Sequence, residues 1–338
     1  MNESAATPRI GLLGTGPWAA ATHAPALAAH PGVDFVGVWG RRPEAAGVLA
    51  REHGVAVYED ADALFADCDA VAFALPPDVQ APLAVRAAAA GCHLLLDKPV
   101  ATSVASAREL AGAAERAEVA SVVFFTLRFA RETAAWVAQQ AAAEGWFTGR
   151  ARWYGSLFTP GAERSPYAAS PWRGEKGALW DVGPHALAVL AGVLGEVTAL
   201  TAAAGPGDTA HLILRHASGA SSTADLSFTA PPAAAGVEVS LLGESGAEVM
   251  PGWGGALDAF GAAIDALLDA ARTGVPHPCD ARFGARITEL LAEAEAQLGR
   301  AWRTAAGRKS ARRRATCAPG RRVRRRRCGP PRPCRRPP

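Results

Sequence analysis

Cysteine, methionine and tyrosine are scarce in this chain, with six, two and three copies among 338 residues. Cys68, Cys92 and Cys279 stand singly, and Cys317, Cys328 and Cys334 fall in a basic tail. No pair has CxxC spacing and the total is too low for a disulfide scaffold, so no metal centre is expected. Uninterrupted apolar runs stay well short of the roughly 20 residues that span a bilayer. The opening "MNESAATPRI" lacks the basic and apolar regions of a secretory signal. These absences exclude a membrane or disulfide-rich class and point to a reduced, cytoplasmic protein. Acid is missing from one end only. From Arg300 onward there are 16 Lys and Arg and no Asp or Glu, leaving about 19 basic against 32 acidic residues in the body. An acidic body excludes nucleic acid as the partner of the folded part.

Turning to what is present, "PRIGLLGTGPWA" reads as a strand, a glycine turn and the start of an Ala-rich helix ending near Ala29. "VDFVGVWG", "AVYED", "AVAFALPP", "CHLLLD" and "VASVVFFT" follow as strands, separated by helical stretches. Strands alternating with helices at short intervals predict βαβ units and a doubly wound parallel sheet over residues 1–127. Beyond Trp146 the rhythm changes to short alternating segments broken by Gly, Pro and Ser. They predict a mainly antiparallel open sheet, closed by two amphipathic helices. This second, α+β unit is assigned to residues 128–303, for substrate binding and oligomerisation. Residues 304–338, rich in Arg and Pro, have no apolar period and are expected to be disordered.

"GTGPWA" supplies Gly14, Gly16 and Ala19 as G-x-G-x-x-A between a strand and a helix. The first glycine permits the tight turn, and the second lets the backbone approach a pyrophosphate. Helix N–H groups then face the anion. Thr15, Pro17 and Trp18 complete this loop. Leu75 and Pro76, at the carboxyl end of the fourth strand, belong to the same expected dinucleotide site. An acid closing the second strand would hold both ribose hydroxyls and repel a 2′-phosphate. The sequence has Gly40, then Arg41 and Arg42. A small residue followed by two guanidiniums favours NADP, with NAD as the alternative.

Three stretches carry chemistry. "LLLDKPVA" brings Asp97 and Lys98 to the end of a buried strand, where open α/β sheets bind ligands. "FFTLRF" is read as ending the last parallel strand at Arg128. "SPWRGEKGALWDVGPHAL" sets Asp181 and His185 four apart, on one face of a helix, with Trp172 and Arg173 just before. His185 suits a base for a hydroxyl proton, Asp181 an orienter of its ring, and Lys98 a donor to the substrate oxygen. Asp97 reads as a conformational partner. His277 and Cys279 in "PHPCD" read as structural.

With these pieces in order, the chain resembles the Gfo/Idh/MocA family of glucose–fructose oxidoreductases, inositol dehydrogenases and their relatives. The matching stretches are "GLLGTGPWA", "FALPPDVQAPLAVRAAAAGCHLLLDKPVA", "LRF" and "WRGEKGALWDVGPHAL", spanning about residues 8–302. The family's Glu-Lys-Pro is Asp97-Lys98-Pro99 here. The resemblance implies that Lys98, Asp181 and His185 are catalytic and that the substrate is a sugar, cyclitol or related polyol; by position Arg128 and Trp172 are read as substrate contacts, and Arg173 as a substrate contact or a loop brace. It also implies a homo-oligomer, dimer or tetramer, through the second sheet. Gln80 stands where the family often has histidine, and Ala188 where an aspartate often follows. A non-catalytic NAD(P)-binding sensor and an NAD-dependent glycosidase are the rival readings. Trp153, Tyr154, Phe158, Tyr167, Trp172 and Trp180 are candidates for stacking on a sugar face.

Overall fold

The computed structural model describes residues 6–161 and 165–316. The first sheet has the order β3-β2-β1-β4-β5-β6, all parallel. Its strands are β1 (Arg9–Leu13), β2 (Asp34–Trp39), β3 (Ala56–Val57), β4 (Ala70–Phe73), β5 (His93–Asp97) and β6 (Ser121–Phe124). β4 and β6 are buried along their whole length, and Leu94, Leu95 and Leu96 of β5 are fully buried. Strands covered by helices on both faces need such unbroken apolar runs. The strand order reverses between β1 and β4, so a crevice opens at their carboxyl ends.

Helices α1 (Ala24–Ala29), α2 (Pro43–His53), α3 (Ala61–Ala66), α4 (Pro77–Ala89) and α5 (Val104–Arg116) link these strands. Sequence-local caps start two of them. Asp60 accepts from the amide of Ala63 at 2.7 Å, and Ser103 from that of Ser106 at 3.1 Å. α1 is preceded by a π-helical turn, Ala19–His23, directly after the glycine loop.

Where a strand was expected to end at Arg128, β6 ends at Phe124, and Thr126–Phe129 forms a single helical turn, α6. α7 (Arg131–Ala141) then leads to the second sheet, of order β12-β11-β7-β10-β9-β8. Its strands are β7 (Trp146–Tyr154), β8 (Val197–Ala204), β9 (Ala210–His216), β10 (Ser221–Ser227), β11 (Gly236–Gly243) and β12 (Gly246–Val249). Five neighbouring strands would all be antiparallel if each followed the last by a hairpin. Here β7 is inserted between β11 and β10 and runs parallel to β10, which makes the sheet mixed.

Between β7 and β8 run α8 (Pro171–Asp181) and α9 (Gly183–Leu194). Together they form a 24-residue run, Pro171–Leu194, whose 18-residue apolar window has mean hydropathy 1.4, long and apolar enough by composition to cross a membrane. However, 83% of that apolar window is buried inside the protein, as in a core helix. α10 (Ala256–Thr273) packs back on β5 and β6 of the first sheet. α11 (Ala281–Thr316) packs on α5 and β8, bridging the two sheets. It continues through Thr316, so helix occupies part of the segment expected to be a disordered tail. The remainder of that segment, with Cys317, Cys328 and Cys334, lies outside the described residues.

Candidate active site

The glycine loop fits a dinucleotide. Gly14 has φ +127°, and a side chain there would run into the carbonyl oxygen of Ala74, so only glycine lets β1 and β4 approach this closely. Its amide donates to the Trp39 carbonyl at 2.9 Å, fixing the loop to the end of β2. Nothing lies within 4 Å of where a Gly16 side chain would stand, which leaves backbone open to a ligand. A cleft of about 370 Å³ begins here, lined by Gly16, Pro17, Trp18, Arg42, Leu75, Pro76, Lys98, Trp172 and Arg173 among others. Of the expected cofactor residues, Gly14, Thr15, Gly40 and Arg41 do not line it. Gly14 and Gly40 act from behind. A side chain at Gly40 would stand 2.6 Å from the Thr15 methyl, so an acid at that position would push the Thr15 side chain aside.

A second pocket of about 440 Å³ adjoins it, lined by Asp97, Lys98, Arg173, Asp181 and His185. Its walls are largely aromatic: Trp18, Trp153, Tyr167, Phe228 and Trp253. The two share Trp18, Asp97, Lys98, Tyr167 and Arg173. A cavity of similar size, about 450 Å³, lies at the amino ends of β5 and β6 around His93, Glu118 and Asp280, and holds none of these residues.

Lys98 leaves the end of β5 beside a cis Lys98–Pro99 bond. Gln80, buried in α4, brackets the strand end. Its amide accepts from the Asp97 N–H at 2.9 Å and donates to the Asp97 carbonyl at 2.8 Å, as a neighbouring strand would. The Asp97 carboxylate accepts from the Lys98 amide at 2.9 Å. Burial pushes Asp97 up to about 6, against the pull of Lys98 and Arg173.

The Lys98 ammonium donates to Oδ1 of Asp181 and to its backbone carbonyl, both at 2.6 Å. The Arg173 Nε donates to Oδ2 at 2.8 Å. Arg173 is itself flanked by the Tyr167 and Trp172 rings, 5.4 and 5.0 Å from its guanidinium carbon. Burial alone would raise Asp181, but the two cations more than offset it and hold the carboxyl down at about 2. Asp181 therefore serves Lys98 and Arg173, not the His185 ring as the sequence suggested. His185 is buried, stacked on Trp153 with ring centroids 5.2 Å apart, and its Nδ1 has no hydrogen-bond partner. Burial, reinforced by Lys98, moves it well below its ordinary range despite Asp181, so the imidazole is neutral.

Arg128 is absent from this assembly. Its guanidinium donates to the Ala188 carbonyl at 2.9 Å and packs beside Gly192, because the α6 turn directs it towards α9. Trp172 faces the cofactor cleft and not the inner pocket. His277 accepts from the Cys279 amide at 3.0 Å and stacks on Phe129. Sequence reasoning missed Phe228 and Trp253, since nothing in isolated "SFTA" or "PGWGG" marks them as pocket walls.

A family model described as the oxidoreductase family with an NAD-binding Rossmann fold matches residues 8–125, and the Gfo/Idh/MocA C-terminal domain matches residues 148–248. The chain belongs to the Gfo/Idh/MocA family. The chain spans about a third of the length of the curated relatives it matches. It is similar to a dTDP-3,4-didehydro-2,6-dideoxy-alpha-D-glucose 3-reductase of Streptomyces violaceoruber, 38% identical over 104 residues that make up 30% of each chain. Among solved structures it resembles GenD2 from gentamicin A biosynthesis in complex with NAD, with TM-score 0.72 and 23% identity over 86% of this chain and 94% of that one. It also resembles the WlbA dehydrogenase of Bordetella pertussis in complex with NADH and UDP-GlcNAcA, with TM-score 0.74 and 21% identity over 86% and 96% of the chains. At these identities the structural likeness speaks for the fold.

Proposed function

We propose that this Gfo/Idh/MocA oxidoreductase transfers hydride between NADP, with NAD as the weaker alternative, and a hydroxyl or keto carbon of a sugar, cyclitol or related polyol. The carrying observation is that Lys98 lines both the cofactor cleft and the aromatic pocket, with its carboxylate partner Asp181 in the wall of the second. The nicotinamide supplies hydride acceptance and donation when bound. An ammonium has three donors, and two of those on Lys98 are committed to Asp181, leaving one for a substrate oxygen. In the oxidative direction neutral His185 takes the hydroxyl proton, while Lys98 stabilises the charge developing on oxygen. In reduction the same donor polarises the carbonyl. Trp153, Tyr167 and Trp253 give flat apolar surfaces for a sugar ring.

Gly40 behind Thr15, with Arg42 in the cleft, supports NADP, since no acid competes for the ribose and a guanidinium is at hand. The relatives named for dTDP- and UDP-linked sugars favour a sugar substrate. We further infer self-association through the second sheet, where Ile213 and Leu242 are exposed beside the His211–Asp225 and Arg152–Glu238 pairs. The test is a screen of sugars, amino sugars, cyclitols and their keto forms, followed at the NAD(P)H absorbance in both directions with both cofactors. Turnover of any with NADPH or NADP supports the reading; tight cofactor binding without turnover across the screen refutes it in favour of a sensor.

A further inference from the structure

We propose that Asp208, which lines neither cleft, is the positioning residue that sets the catalytic helix against the wall of the substrate pocket. It sits in the turn between β8 and β9. The inference rests on the functional reading above and deepens it.

The carboxylate of Asp208 gathers five donors from two separate segments. Its Oδ1 accepts from the Ser227 hydroxyl (2.9 Å), the Phe228 amide (2.9 Å), the Thr229 amide (3.0 Å) and the Thr229 hydroxyl (2.9 Å). Its Oδ2 accepts from the Ala178 amide at 3.2 Å and shares that of Phe228 at 3.0 Å. A carboxylate offers about four lone-pair directions, so this one is saturated.

Ala178 is where the catalytic helix starts. Gly177, at φ 64° and ψ −163°, interrupts α8, and a side chain there would stand 3.4 Å from Asp208 Oδ2. The helical ladder resumes with the Val182 amide donating to the Ala178 carbonyl at 2.9 Å, and continues into α9. The Ala178 amide is thus one of the orphan donors of a helix start. Asp181 and His185 follow it by three and seven residues, on the same face. On the other side, Phe228 lines the pocket, and its carbonyl accepts from the Phe158 amide at 2.9 Å. The Ser227 carbonyl accepts from Gly155 at 2.7 Å. One side chain therefore fixes the helix that carries Asp181 and His185 relative to the loop that shapes the pocket. Displacing reacting groups by about 1 Å costs on the order of 10²-fold in rate.

The decisive variant is Asp208→Asn, which keeps size. Its amide oxygen replaces Oδ1 towards Ser227 and Thr229, while its NH₂ faces the Ala178 N–H, donor against donor. The expected result is a kcat at least about 10-fold lower, with NADPH Kd within twofold of wild type. The His185 ring proton signals, shifted by the stacked Trp153 and assigned with His185→Gln, are expected to move towards their unstacked positions. That NMR readout needs no substrate, so it stands or falls separately from the reaction. Thr229→Val removes the hydroxyl on the loop side without touching the helix link. It is expected to keep kcat within twofold with a small fall in unfolding midpoint. Wild-type kcat and unmoved His185 signals in Asp208→Asn overturn the proposal. So does a loss explained wholly by a smaller folded fraction.

Discussion

The Lys98–Asp181–Arg173 cluster permits a test of stability and catalysis together. One carboxylate, about 10% exposed, neutralises two cations whose side chains are 10% and 18% exposed. Asp181→Asn leaves Lys98 and Arg173 facing a neutral amide. Removing one partner of a buried pair costs about 3–5 kcal/mol, and here two cations lose the same partner. Lys98→Met leaves Asp181 with Arg173 at 2.8 Å, still a complete pair. Its cost should therefore fall at or below about 3 kcal/mol, the low end of that range. The double variant retains Arg173 alone, supported by Tyr167 and Trp172. The order of stability is then wild type, Lys98→Met, the double variant, and Asp181→Asn last. The loss in the double variant should fall short of the sum of the two single losses by about 0.5–3 kcal/mol, the range of coupling between groups in contact. Urea unfolding of the four proteins at pH 7.5 reads this directly. In the same proteins, Lys98→Met should lower kcat by about 10²–10³-fold, as for loss of one oxyanion donor, with cofactor affinity nearly unchanged. Additive stability losses, or a Lys98→Met enzyme that turns over normally, would refute the reasoning.

Two further outcomes follow from other parts of the structure. Arg42→Ala should weaken NADPH by roughly 10- to 100-fold relative to NADH, the value of one charged hydrogen bond or two. Arg41→Ala should leave that ratio within about threefold by contrast, since Arg41 does not line the cleft; fluorescence titration with both cofactors measures this, and equal losses in both variants count against it. His23 is fully buried in the π turn, and burial lowers it to about 3. The unfolded chain binds its proton near pH 6.5 and the folded one does not, so stability is lost as pH falls below about 6.5, by about 3 kcal/mol at pH 4. His23→Phe, packed against Phe260, should flatten this acid limb of the unfolding curve. An unchanged pH dependence would refute that assignment.

The first sheet was legible because its strands are short apolar runs between helical stretches, a pattern few other folds produce. All six strands of the second sheet could be located from alternation, yet the parallel pairing of β7 with β10 could not. Alternation reports which face is buried and carries nothing about the neighbour's direction. Arg128 illustrates a different limit. "VVFFTLRF" continues in apolar residues past the true end of β6, so the pattern gave no reason to end the strand at Phe124. The α6 turn rotates the guanidinium towards Ala188, and that rotation is a tertiary event. The role of Asp181 was hidden for a similar reason. Spacing placed it on one face with His185, and only the fold brings Lys98, 83 residues away in sequence, to its carboxylate.

Gln80 and Asp97 show how far the strand-end motif depends on what surrounds it. A histidine at position 80 has two ring nitrogens that point in different directions, and its tautomer sets which one donates. The Gln80 amide offers a donor and an acceptor side by side, matched to the N–H and C=O of a single peptide. It therefore extends the ladder at the end of β5 by one pairing just where the chain must stop being a strand. The same amide lies 3.4 and 3.3 Å from the carbonyls of Pro99 and Val100, beyond the cis bond. Lys98 is thus held between two anchored peptides, with only its side chain free to answer to Asp181 and substrate. The proposed hydride transfer needs donor carbon and acceptor ring in contact, which the residues shared by both clefts would permit. Lys98 has one ammonium donor beyond the two committed to Asp181, and the backbone that Gln80 fixes decides where that donor points.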